Sequence, residues 1–180
     1  MAESDEAVFR KVQRGDHAAF AVVVERYQRR AFSVALRLLG SRSNAEDAVQ
    51  QAFLRLYECR AAYDPRWRVN TWFYRILTNV CIDEVRRTKP TLPLDGLELP
   101  VADTPDRALA SRERALLLHA ALAMVPVEAR IVLTLYYGDG RTYQEIGAIR
   151  GVSVNTVKTH LRRGRAALRK ALRARGMDRP

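Results

Sequence analysis

Several whole classes of protein are excluded by what this sequence lacks. It has two cysteines, Cys59 and Cys81, lying 22 residues apart with no CxxC pair and no Cys/His cluster, so neither a disulfide framework nor a zinc site is indicated. No stretch approaches the roughly 18 consecutive apolar residues of a membrane span. The opening segment MAESDEAVFRK lacks the basic-then-apolar order of a secretory signal. A cytoplasmic location without membrane insertion is therefore expected. Histidine occurs only at His17, His119 and His160, on three different expected helices, and no Ser/His/Asp or paired-carboxylate arrangement stands out. No catalytic residue, no metal and no cofactor are expected, and the chain reads as a non-enzyme. The period-2 alternation of strands is missing too, as is any internal repeat, which leaves an all-α fold.

Acidic residues are scarce at one end. Residues 141–180 carry eleven Lys/Arg against Glu145 and Asp178, a net of +9 out of +11 for the chain. Residues 1–87 carry only +4, and residues 88–140 are slightly negative. A single-sign field of this kind serves phosphate binding, or else is simply a solvated basic tail.

Proline is clustered. Pro90, Pro93, Pro100 and Pro105, four of the seven, fall in TKPTLPLDGLELPVADTPD, which has acidic residues, one glycine and no sustained period. Helical patterns flank it on both sides, so it divides the chain into two small helical domains. The boundaries expected are 1–88, a linker over 89–106, and 107–180.

In the first domain a short helix is expected from about Asp5 to Gly15 and a long one from Asp16 to Gly40, the glycine serving as a left-handed cap. Ser43-Asn44-Ala45-Glu46 has the form of a capping box opening a helix to about Arg60. Ala45, Val49, Ala52, Phe53 and Leu56 make its apolar stripe, which leaves Glu46, Asp47, Gln50 and Gln51 facing outward with no evident internal task. Acids in a first turn also suit the helix dipole. The segment CRAAYDPRWRVNTWFYRILTNVCIDEVRR then gives a loop and a helix over about 70–87. Phe73, Ile76, Leu77, Val80 and Val85 can face the core. Tyr63, Trp67, Trp72 and Tyr74 exceed what one small core asks for, and Arg66, Arg68, Arg75, Arg86 and Arg87 are interleaved with them. Aromatic faces beside guanidinium groups suit unstacked nucleotides, the ring taking the base and the cation the phosphate. The two tryptophans could equally pin the loop to the core.

In the second domain helices are expected from about Pro105 to Met124 and from Pro126 to before Gly138. Thr142-Tyr143-Gln144-Glu145 forms a second capping box, the helix it opens ends at Gly151, and Ser153 caps the next, the spacing of a helix-turn-helix. On that last helix Val154, Val157, Leu161 and Leu168 fall on one side, and Asn155, Lys158, Thr159, Arg162 and Arg163 on the other. Such residues on the first turns of a helix can reach base edges in a major groove, with Arg165, Arg169 and Lys170 left for phosphate. A helix of this pattern is built to touch duplex DNA.

Taken in order, NAEDAVQQAFLRLY, NTWFYRILTNVCIDEVRR, the proline-rich segment and VPVEARIVLTLYYGDGRTYQEIGAIRGVSVNTVKTHLRRGRAALR resemble a bacterial RNA polymerase sigma factor of the extracytoplasmic-function (ECF) type, over nearly the whole chain. The resemblance implies an initiation factor that joins core RNA polymerase, recognises a −35 promoter element with its C-terminal domain and opens the −10 element with its N-terminal one. It places Glu46, Asp47, Gln50 and Gln51 on the surface that docks the clamp helices of the largest polymerase subunit. It places Tyr63 and the loop to Val69 (with Arg66, Trp67 and Arg68, beside Trp72) at a pocket for a flipped −10 base, with Asn79 reading that base and Arg75, Arg86 and Arg87 holding backbone. Lys158, Thr159, Arg162 and Arg163, with Asn155 as neighbour, match the −35 reading positions. The family also implies an anti-sigma partner. In many relatives the loop contains a glycine and is less basic than YDPRWRVN, so the resemblance does not say which base it takes. Two rivals fit less: a serine recombinase needs a mixed α/β catalytic domain, and a simple helix-turn-helix regulator leaves the aromatic loop and the polar helix unexplained.

Overall fold

The computed structural model describes residues 3–87 and 115–175, all of its regular structure being helical. The linker expected over 89–106 and the helix start expected near Pro105 lie outside those residues. Four helices form the first group: α1 (Asp5–Gln13), α2 (His17–Leu39), α3 (Arg42–Glu58) and α4 (Val69–Arg87), with a 3-10 turn at Arg60–Ala62 before the loop into α4. The second group consists of α5 (115–123), α6 (Val127–Leu133), α7 (Tyr143–Arg150) and α8 (Val154–Arg173).

Local chemistry explains most boundaries. Asp16 accepts from the Ala19 amide at the start of α2, and Gly40 closes that helix at φ 69°, a conformation that costs a side chain with a Cβ. The cap of α3 differs from expectation: Ser41, in extended backbone, accepts from the Asn44 amide, whereas Ser43 lies inside the helix and Glu46 pairs with Arg42 at 2.9 Å. Because Gly40 turns the chain so sharply, the first residue after it already occupies the capping position, two residues ahead of the box that the pattern suggests. The capping box at Thr142 is complete in both directions, with Glu145 N donating to Thr142 Oγ1 and Thr142 N to Glu145 Oε2. Ser153 caps α8 through the Thr156 amide.

The last turn of α6 widens over Thr134–Gly138 into i→i+5 bonding, and Asp139 N donates to Thr134 O at 3.1 Å. Gly164 lets α8 lie close on α6: a Cβ there would stand 3.0 Å from Leu133 and 3.2 Å from the Ala129 carbonyl.

Aromatic rings fill the first group. Phe73 stacks on Phe53 at 4.7 Å and meets Tyr27 at 5.4 Å, and Tyr63 sits between Phe9 and Trp72 at 5.0 and 5.1 Å. Tyr27 donates from its hydroxyl to Asp5, and burial followed by that carboxylate holds its ionisation far above the usual tyrosine range. The apolar core does not stop at the end of α4. It runs without a break from Val8 to Leu161, because α4 packs on α2 and α3 with one side and on α7 with another.

Three outcomes follow from this packing. Trp72 is half-buried against Phe9 and Tyr63, whereas Trp67 is 49% exposed. Trp72→Ala should lower stability in urea unfolding by about 2 kcal/mol, below the range for a wholly buried ring, and Trp67→Ala should stay within about 0.5 kcal/mol of the parent. Gly164→Leu should cost about 1–3 kcal/mol through overpacking against Leu133, seen as a lower melting temperature. Cys59 is exposed, while Cys81 is buried and its thiol pushed up to about 12. Ellman's reagent should therefore modify Cys59 alone in the folded protein and both thiols once it is unfolded.

Candidate nucleic-acid interface

The outward side of α8 is strongly basic. The helix carries Lys158, Arg162, Arg163, Arg165, Arg169, Lys170 and Arg173 and no acid. Val157, Leu161, Gly164 and Ala171 turn inward, and Asn155, Lys158, Arg162 and Arg163 are exposed. Thr159 is half-buried at the edge of this face, its hydroxyl donating to the Asn155 carbonyl at 3.0 Å. The five residues expected to read duplex DNA thus lie together on or at the edge of one exposed, cationic side of the helix. Arg165 also lies 5.8 Å from the Tyr137 ring.

The loop before α4 divides between core and surface. Tyr63 is only 4% exposed and its hydroxyl donates to the Trp67 carbonyl at 2.5 Å, so it holds the loop's shape; burial first, then the carboxylates of Glu6 and Asp64, raise its ionisation. Trp67, Arg66 and Arg68 are exposed. Arg66 forks onto Asp64, with Nη2 at 2.6 Å and Nε at 2.8 Å, and its hydrogen bonds hold the Asp64 carboxyl below the usual carboxylate range. Between Tyr63, Trp67, Thr71, Trp72 and Arg75 lies a cavity of 180 Å³, small enough for one flat ring. Ala62 of the 3-10 turn, Asp64 of the loop and Ala148 of α7 complete its lining.

Along α4, Arg75, Asn79, Arg86 and Arg87 are exposed at i, i+4, i+11 and i+12. Arg87 pairs with Glu84 at 2.5 Å. Asn79 is engaged: its Oδ1 accepts from Arg150 Nη1 at 3.0 Å.

On α3, Glu46, Asp47, Gln50 and Gln51 are all exposed, in two neighbouring rows. The row of Glu46 and Gln50 continues to Leu54, 58% exposed, and borders an apolar groove of 560 Å³ between α2 and α3, lined by Phe20, Val24, Phe32, Val49 and Phe53. The pattern of α3 hints at this only through Leu54, an apolar residue one turn beyond Gln50 on an otherwise polar row. The contributions from α2 have no such signal, since Phe20, Val24 and Phe32 read simply as core.

The two groups of helices are joined by Tyr74, which the sequence suggested was surplus to the core but which is buried in it, and by Arg37, Arg130, Asp139 and Arg141, which sequence reasoning missed. Tyr74, fully buried, reaches Asp139 Oδ1 at 3.4 Å, and Arg141 lies over the Tyr74 ring at 4.3 Å while pairing with Asp139 at 2.6 Å. Burial, then the Asp139 charge, push the Tyr74 hydroxyl up to about 12. Arg37 Nη1 donates to the Gly138 carbonyl at 3.1 Å, and Arg130 Nη1 to the Leu38 carbonyl at 3.0 Å. Among the described residues no cluster of His, Cys, Asp and Glu is arranged to hold a metal ion, and no helix is long and apolar enough to cross a membrane.

Comparison with known proteins agrees with this geometry. The Sigma-70 region 2 family matches residues 23–91, spanning α3, the loop and α4, and the Sigma-70 region 4 family matches residues 115–168, spanning the helix-turn-helix. The chain is 38% identical over 176 residues to the ECF RNA polymerase sigma factor SigW of Bacillus subtilis, covering 91% of this chain and 94% of that one. Its fold is shared with CnrH, solved in complex with the cytosolic domain of CnrY, at a TM-score of 0.74 and 22% identity, covering 96% and 99% of the two chains. It is also shared with the sigma factor RpoE solved with the anti-sigma factor NepR from Bartonella quintana, at 0.67 and 19%, covering 89% and 98%. With both family models matched in order along it and a relative 38% identical over 91% of its length, the chain belongs to the ECF RNA polymerase sigma factor family.

Proposed function

We propose that this chain binds core RNA polymerase and directs it to promoters, with residues 1–88 docking the enzyme and opening the −10 element and residues 107–180 reading the −35 element. The observation that carries this is the separation of two chemically different surfaces: an acid-free basic face on α8, and an apolar groove with a polar rim on α3. The first is suited to a polyanion. The second is suited to helices of another protein, because an apolar furrow bordered by Glu46 and Gln50 offers both burial and register.

On α8, Lys158, Arg162 and Arg163 supply long cationic side chains, and Asn155 and Thr159 supply the shorter polar groups that discriminate bases. On α4 and its loop, the ring-sized cavity beside Trp67 takes an unstacked base, Asn79 reads it, and Arg75, Arg86 and Arg87 hold the strand. On α3, the clamp helices of the largest polymerase subunit lie along Glu46, Asp47, Gln50 and Gln51, with Leu54 and the groove as the apolar part of the contact. The solved neighbour that carries an anti-sigma factor supports control by such a partner here.

Co-elution with core polymerase on a sizing column, followed by run-off transcription from genomic fragments, tests the whole proposal. Promoter-dependent transcripts are expected; tight duplex binding with no association with core would leave only a helix-turn-helix regulator. Asp47→Lys should weaken core association at least tenfold without altering the promoter sequences chosen. Lys158→Ala or Arg163→Ala should leave core binding intact, weaken −35-dependent initiation by about 1–3 kcal/mol, and flatten the salt dependence of duplex binding by about one unit of slope.

A further inference from the structure

Arg141 and Arg150, at the edge of the basic end, are turned inward, and Arg150 lies across the face of α4 proposed to read DNA. Its side chain is 11% exposed. Nη2 lies 3.1 and 3.3 Å from the two oxygens of Glu128, within its own group of helices, while Nη1 reaches across to Thr78 Oγ1 at 3.1 Å and Asn79 Oδ1 at 3.0 Å. The guanidinium therefore ties α6 and α7 to α4, and it does so by taking the acceptor atom of Asn79. Two further features concern the same face. Ala148, two residues earlier on α7, lines the ring-sized cavity of Trp67 and Trp72, and Gly151 at the end of α7 lies against the Arg75 guanidinium, 3.9 Å from where its Cβ would be.

We infer that the packed arrangement is a closed, self-covering state, in which α7 occupies the −10 reading face of α4 with Arg150 as the latch, and that the second domain must leave α4 before the strand can enter. This rests on the assignment of Asn79 and Arg75 to −10 DNA. The polar joint is suited to reversal. Besides its apolar contacts it is made of Arg150, the Tyr74–Asp139–Arg141 cluster and the single hydrogen bonds of Arg37 and Arg130 to carbonyls, groups that water can satisfy once the domains part. A helix-bearing domain held by such contacts is a two-state element, and any ligand that binds only the open state shifts it. Meanwhile Asn155, Lys158, Arg162 and Arg163 remain exposed in the closed state, so duplex binding by α8 is not inhibited by closure.

The test uses the full chain labelled for energy transfer at exposed Cys59 and at Ala166→Cys on α8. Both positions are exposed, and Cys81 is buried. Arg150→Ala and, independently, Arg37→Ala are compared with the parent, with far-UV circular dichroism to verify folding. Fluorescein-labelled DNA pools of random sequence, single-stranded and duplex, report binding. Opening should lower the transfer efficiency and raise single-strand affinity about tenfold, the gain expected when the competent state rises from about a tenth of the population to most of it. Duplex affinity should stay within about twofold. Unchanged transfer in both folded variants would show that these contacts hold nothing, and would overturn the latch. A fall in transfer without a gain in single-strand affinity would overturn self-covering, and Arg75→Ala in the open background then locates the failure. If it still weakens single-strand binding, the DNA assignment survives and only the inference is lost; if it has no effect, the assignment falls as well.

Discussion

The two-sided burial of α4 is the constraint on which the rest of this structure depends. Phe73, Leu77 and Val80 complete the core with α2 and α3, and Tyr74 on the same helix reaches the second group of helices through Asp139 and Arg141. A helix so committed has little surface left, and what remains is the strip that carries Arg75, Asn79, Arg86 and Arg87. The same commitment explains its chemistry. Cys81 is an inert buried thiol and Tyr74 a buried hydroxyl resistant to ionisation, because a charge on either would sit between two packed layers without water.

Electrostatics and burial are kept apart elsewhere. A basic face such as that of α8 suits phosphate, whose attraction is long-ranged, salt-dependent and tolerant of sequence, and short polar side chains among cations are the kind that discriminate bases. An apolar groove such as the one beside α3 would bind through area removed from water, which depends little on salt. A protein built with both can meet a polyanion and a protein partner at once without one surface competing for the other. Yet the basic end is not all surface: Arg141 and Arg150 are drawn inside as pairs for Asp139 and Glu128, where a buried cation must have acceptors.

Much of the fold could be read locally. Asp16, Gly40, Thr142 with Glu145, Gly151 and Ser153 mark helix ends through hydrogen bonds and backbone angles spanning only a few residues, and each stands at its expected helix end. The one misplaced cap, Ser43 for Ser41, arose where two candidate serines lie two residues apart and only the sharp turn at Gly40 decides between them. The split of α8 into a docking side and a basic side was legible for the same reason, since a period of 3.6 residues sorts side chains by direction.

Direction is not destination, however. Tyr63, expected at a base pocket, lines the small cavity of the loop while lying buried between Phe9 and Trp72, and its burial could not be read in advance because a ring in an irregular loop has no periodicity to say whether it points to core or solvent. The sequence by itself determined an all-helical chain, its caps, a helix-turn-helix with an outward basic face and a polar row on α3, all encoded over spacings of three or four residues. Only the tertiary structure decided that α2 supplies the apolar half of the α3 groove, and that Arg150 closes on Asn79 across 71 residues of chain. Contacts of that range depend on how whole helices lie against one another. That placement follows from the packing of the entire core and not from any pattern along one segment.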